Sequence, residues 1–146
     1  MTTAAAVIAR LASAAPSLGN RVEGAAALGA LMASGTYPQA TPAAYVVPTG
    51  FSGGAQANGT GAHRQMLTRS IEVLWIVNYA GSAAGGEPLA DIEEIESEIV
   101  AALAGFTPVA GQGSLTVTRS GPDQASDGFF FWRTAFSFND QLRITS

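Results

Sequence analysis

The chain has 146 residues, 47% of them hydrophobic and only 12% charged, with 17 glycines; that suits one domain able to bury about 70% of the surface its unfolded form exposes. Seven basic residues, all arginine, are scattered among 11 acids for a net charge of -4, which argues against sequence-specific nucleic-acid binding, where clustered cations neutralise phosphates. The sequence holds no cysteine, so disulfides, thiolate zinc sites and a cysteine nucleophile are excluded.

In chain order, Thr2 or Thr3 caps a predicted helix over Ala4–Ala15 with Val7, Ile8, Leu11 and Ala15 on one face and Pro16 ending it. Arg21–Gly24 reads as extended, and Ala25–Met32 as a second short helix ending at Gly35. Arg21, Glu23 and glycines interrupt this apolar region, so no membrane-spanning segment and a soluble protein are expected. Ala43–Val47 reads as a strand closed by Pro48, and the glycine-rich stretch from about Thr49 to His63 as a long flexible loop.

From Arg64 to Tyr79, Ile71, Val73, Trp75, Val77 and Tyr79 alternate on one strand face, while Leu74 and Ile76 make the opposite face apolar too. Gly81–Gly86 is a loop of small residues. Pro88 opens a helix to about Ala104, capped by Gly105. Its apolar face carries Leu89, Ile92, Ile95, Ile99, Val100 and Leu103, and Asp91, Glu94 and Glu98 form an acidic stripe opposite. Ser114–Ser120 and Phe129–Phe138 form a hairpin whose loop spans about Gly121 to Gly128. This order predicts a single α+β domain over residues 1–146, an antiparallel or mixed β-sheet with two or three helices packed on one face.

Signatures of catalysis are missing from this reading. His63 is the only histidine, so it has no second member for a metal cluster or a relay to serine, and it reads as a solvated loop residue. The acids of the third helix read as a solvated face rather than a cation site, and Glu96, at the edge of the apolar stripe, suits an arginine partner. Asp123 and Asp127 have the turn chemistry of local backbone hydrogen bonding. There is no nucleophile elbow or phosphate-binding loop. Trp75, Trp132 and the phenylalanines read as core in preference to a ligand pocket. What stands out is surplus apolar surface at Leu74, Ile76, Phe129 and Phe131, which either the chain's own helices or a neighbouring subunit would cover.

Several segments carry a family resemblance: Asn20-Arg21-Val22-Glu23-Gly24-Ala25-Ala26, Tyr37-Pro38, Thr41-Pro42-Ala43-Ala44-Tyr45-Val46-Val47-Pro48, Leu103-Ala104-Gly105-Phe106-Thr107-Pro108 and the strand Phe130–Phe136. With the order of elements, they make the chain similar to the tail terminator proteins of long-tailed phages and phage-like particles, the minor tail protein U-like group. The resemblance implies a structural virion protein with no cofactor, no metal and no catalytic residue. It implies a hexameric ring of identical subunits at the head-tail junction, assembled in the host cytoplasm. That ring sits on the major tail tube protein, stops its polymerisation and docks the head connector or stopper protein. DNA passes through without being read, and no membrane is involved. On this reading the candidate subunit or tube contacts are Leu74, Ile76, Phe129, Phe131, Phe51, Arg64, Asp91, Glu94 and Glu98. The loop at 49–63 and the hairpin loop at 121–128 are expected to order on contact, and the acidic stripe to face an open ring surface such as the DNA channel. A neighbouring junction component and a small-ligand binding domain are the alternative readings.

Overall fold

A computed structural model describes residues 1–59, 62–78 and 87–145, with side chains except at 57–59, 62, 87–90 and 145. Tyr79, the expected loop at Gly81–Gly86 and the Leu89 side chain lie outside the described residues. Thr2 accepts the Ala5 N–H at 3.1 Å and caps α1 (Thr3–Ala14), so the expected helix starts where its capping chemistry places it. A short 3-10 turn at Pro16–Leu18 leads into β1 (Val22–Gly24). α2 (Ala25–Ser34) ends at Gly35, whose φ of 69° is the left-handed conformation a helix terminus favours in glycine.

β2 (Ala43–Gly59) and β3 (Ala62–Asn78) follow, then α3 (Glu87–Leu103), β4 (Thr116–Ser126) and β5 (Phe129–Thr145). The strands form one mixed sheet in the order β1-β2-β3-β5-β4, parallel only between β1 and β2. The fold is α+β.

Both faces of the sheet are covered at one end. α1 and α3 pack on the first face, where Val7, Leu11, Ile92, Ile95, Ile99 and Leu103 meet Val46, Ile71, Val73, Trp75 and Phe136. This is the expected helix layer, formed by two of the three helices. α2 lies on the second face, where Ala27, Leu28 and Leu31 join Tyr37 over Ala43, Tyr45, Leu74, Ile76 and Phe131. The two apolar faces read from β3 therefore correspond to two separate core layers.

Two expected loops are strands. Most of the stretch at 49–63 belongs to β2 and β3, which pair from Ala43↔Ile76 to Gly59↔Ala62 with irregularities at Pro48/Gly50 and Gly53/Gln56. Glycine there serves the sheet: Gly50 takes a φ of 96° at the first irregularity, and a Cβ on Gly54 would stand 2.9 Å from the Met66 carbonyl oxygen. Ladder hydrogen bonds hold this hairpin without an apolar face, so no hydrophobic alternation announces it. At 121–128, β4 runs on to Ser126 past a second irregularity at Pro122/Gln124. Only Asp127-Gly128 make the turn, with φ of 52° and 82° as a two-residue hairpin of that chemistry requires.

Candidate assembly surface

β3 and β5 each run 17 residues and stay paired from Asn78↔Phe129 to Ala62↔Thr145. At ~3.3 Å per residue such a strand spans about 56 Å. The buried residues of β3 begin only at Leu67. Beyond Leu67 the sheet continues as a three-stranded arm of β2, β3 and β5, about 17 Å long.

Strand alternation assigns the arm residues to two faces. Phe51, Arg69, Phe138, Asp140, Leu142 and Ile144 share the α1/α3 face; Met66, Arg64, Asn139, Gln141 and Arg143 share the α2 face. Phe51 is 58% exposed, Ile144 55% and Met66 48%. The arm is braced at its root, where Arg69 stands 5.1 Å over the Phe51 ring and donates to Asp140 at 2.7 Å. Burial would raise the Asp140 carboxyl, but hydrogen bonds from Arg69 and the Gln141 N–H, the Arg69 charge and the Gln112 amide outweigh it and hold the group below the usual carboxylate range. On the other face Arg133 bridges Glu72 at 2.7 Å and Asp123 at 3.1 Å, and the Asp123 hydrogen bond leads the causes that raise the guanidinium above its ordinary value.

The structure revises several candidate contacts. Leu74, Ile76 and Phe131 are almost fully buried under α2, and Phe129 stacks on Tyr37 with centroids 4.2 Å apart. The surplus apolar surface is thus covered within one chain. Glu98 is not part of a free acidic stripe: it accepts the Ser17 N–H at 2.8 Å and the Ser17 hydroxyl, closing the turn after α1. Among the described residues Glu96 has no arginine partner within the chain; it accepts Trp132 Nε1–H at 2.9 Å and the Ser120 hydroxyl. Asp123 pairs with Arg133, whereas Asp127 sits in its expected turn and accepts from the Tyr37 hydroxyl at 3.0 Å. His63 lies on an arm strand between Gln56 at 3.1 Å and Gln65 at 3.3 Å, instead of in a loop. Trp75 is wholly buried, donates to Thr134 at 3.1 Å and lies beside Trp132, as core aromatics do.

Phe51, Arg64, Asp91 and Glu94 remain at the surface, as read from the sequence. The structure adds Arg143, directly across from Arg64, with Met66 on the same face. The last strand read from the sequence ends at Phe138, short of Arg143; the available signal is that a strand pairing with all of β3 must extend well beyond that point.

Two clefts lie at the end of the sheet away from the arm. One of about 410 Å³ is lined by Ser17, Thr41, Pro42, Val77, Asp91, Glu94 and Ile95. The other, of about 310 Å³ and more apolar, lies between α2 and the β4–β5 hairpin, with Leu28, Leu31, Met32, Tyr37 and Phe131 in its wall. Among the described residues no three His, Asp or Glu side chains gather as metal ligands, and no helix is long and apolar enough to cross a membrane.

A search of curated proteins finds no match. Among solved structures, a chain described as part of the virion of a native gene transfer agent particle shares the fold, with a TM-score of 0.55, 19% identity and coverage of 94% of this chain and 93% of that one. The phage tail terminator family matches residues 1–146. A match that spans every element described above places the chain in that family: it is a phage tail terminator family protein, a structural protein of the tail.

Proposed function

We propose that this protein caps the tail tube as a ring of six identical subunits, stops tube polymerisation and offers its free side to the head connector or stopper protein. The observation that carries this reading is the arm, a three-stranded sheet that projects past its helices with exposed apolar side chains, in a chain of this family. A monomer gains nothing from such an extension, because paired strands with no covering layer bury little apolar surface. A subunit that lays the arm on a neighbour or on the tube buries it there.

The edges of the sheet favour association through faces. β4 is a free edge with Pro122, Arg119 and two irregularities, and β2 is irregular at Pro48/Gly50 and Gly53/Gln56 where β1 no longer covers it. Such features discourage strand-to-strand pairing. Repeated over several copies, weak face contacts add up by effective concentration, and a tube end presents all of them together. The solved chain of like fold comes from an assembled gene transfer agent virion, which supports placement in a particle.

The test adds the purified protein to polymerising tail-tube subunits. Tubes should stop at shorter lengths with this protein at one end. Unchanged tube lengths would remove the terminator reading and favour a neighbouring junction component.

A further inference from the structure

The arm tip carries a charge arrangement the monomer does not use. Arg64 and Arg143 are directly opposed in the β3–β5 register, and like charges in that position repel. Both are exposed, and neither has an ion pair among the described residues. The neighbouring carboxylates are engaged elsewhere, Asp140 by Arg69 and Glu72 by Arg133.

The complementary surface lies at the other end of the same strand. The 410 Å³ cleft has Asp91 and Glu94 on its wall and Val77 from β3, with no basic residue among the described residues that line it. Asp91 and Glu94 are exposed and without an ion pair among the described residues. Arg64 and Val77 are separated along β3 by 13 positions, or about 43 Å at ~3.3 Å per residue, so arm and cleft of one chain cannot meet. Two different, complementary patches at opposite ends of one subunit are what a head-to-tail contact requires, and such contacts close into rings when the rotation permits.

We propose that the arm tip of one copy, through Arg64 and Arg143, docks at the acidic cleft beside α3 of a second copy. This inference rests on the ring reading and names the contact that builds the ring. The arginines choose partner and register, while Met66 on the same arm face supplies apolar area. It also gives Asp91 and Glu94 a role between subunits in place of the channel lining expected from the sequence.

The test is a charge swap followed by sedimentation and native mass spectrometry, with tube ends present and absent, and with circular dichroism to check folding. Arg64→Glu/Arg143→Glu should weaken self-association by about tenfold or more, and Asp91→Arg/Glu94→Arg should do the same. Mixing the two variants should restore assembly, because the reversed arm meets the reversed cleft and the native arm meets the native cleft. Because the chain has no cysteine, Arg64→Cys with Glu94→Cys in one chain offers a second measurement: oxidation should yield a ladder of linked subunits. Rings that tolerate both reversals and form no ladder overturn the docking proposal and leave the ring reading standing. A monomer under every condition overturns both. A parallel duplex-DNA binding assay on Arg64→Glu/Arg143→Glu separates the remaining case: loss of DNA binding with self-association unchanged overturns the proposal in favour of a nucleic-acid contact by the arginines.

Discussion

The Glu96 carboxylate joins α3 to the sheet by accepting the Trp132 indole N–H and the Ser120 hydroxyl, 36 and 24 residues away in sequence. Its place at the edge of the helix stripe was readable from periodicity; its partners were not, because they depend on how β4 and β5 fold back. Glu96→Ala removes the charged acceptor and leaves the Trp132 N–H only the Ser120 hydroxyl, itself paired with Thr134, for an expected loss of about 1–2 kcal/mol. In a chain of this length the melting temperature should fall by about 3–6 °C, while Glu96→Gln, which keeps an acceptor, should fall less. Asp140 supplies a pH signature. Its folded pKa is depressed, so its contribution is present above the unfolded carboxylate value of about 3.9 and is lost as pH falls through the lower folded value. Urea titrations at pH 7 and pH 3 should show Asp140→Asn reducing stability at pH 7 and losing less than the parent on acidification.

Among the elements, the helices were legible and the arm was not. α1 and α3 announce themselves by capping residues and apolar stripes, properties of neighbours within one or two turns. α2 was found by its composition, but its run of Ala, Leu, Gly and Met has no polar side to show which way it faces, so the layer it joins had to come from the fold. The arm strands from Gly50 to Gly59 lack alternation because neither face is covered by a helix, and their glycines read as a loop although Gly54 accommodates close strand approach. Replacing residues 54–66 with a two-residue Asn-Gly turn tests the division between core and arm, since Gly53 and Leu67 are already opposed. The shortened protein should keep cooperative unfolding, because the buried residues of β3 begin at Leu67, while self-association and tube capping are lost. Failure of the shortened chain to unfold cooperatively would show that the arm belongs to the folding core.

For the molecule as a whole, the low charge noted at the outset acquires a plan. Of the seven arginines, Arg10 and Arg21 hold backbone carbonyls, and Arg69 and Arg133 hold carboxylates. The opposed pair Arg64 and Arg143 stands at the arm tip, and the free acids Asp91 and Glu94 at the far end of the sheet. A subunit with few charges has little self-repulsion to oppose assembly, and these two patches of opposite sign lie at its two ends, while Arg119, Glu23 and Glu93 are exposed elsewhere. Composition and short-range periodicity sufficed for the α+β class, the helix positions, the buried strand of Ile71–Val77 and the absence of catalytic motifs, because each is a property of residue type or of local neighbours. The partner of each strand, the second core layer under α2, the internal use of Glu96 and Glu98, and the meeting of Arg64 with Arg143 were decided by the tertiary structure. Those features join residues tens of positions apart, and only the register of the completed sheet brings them together.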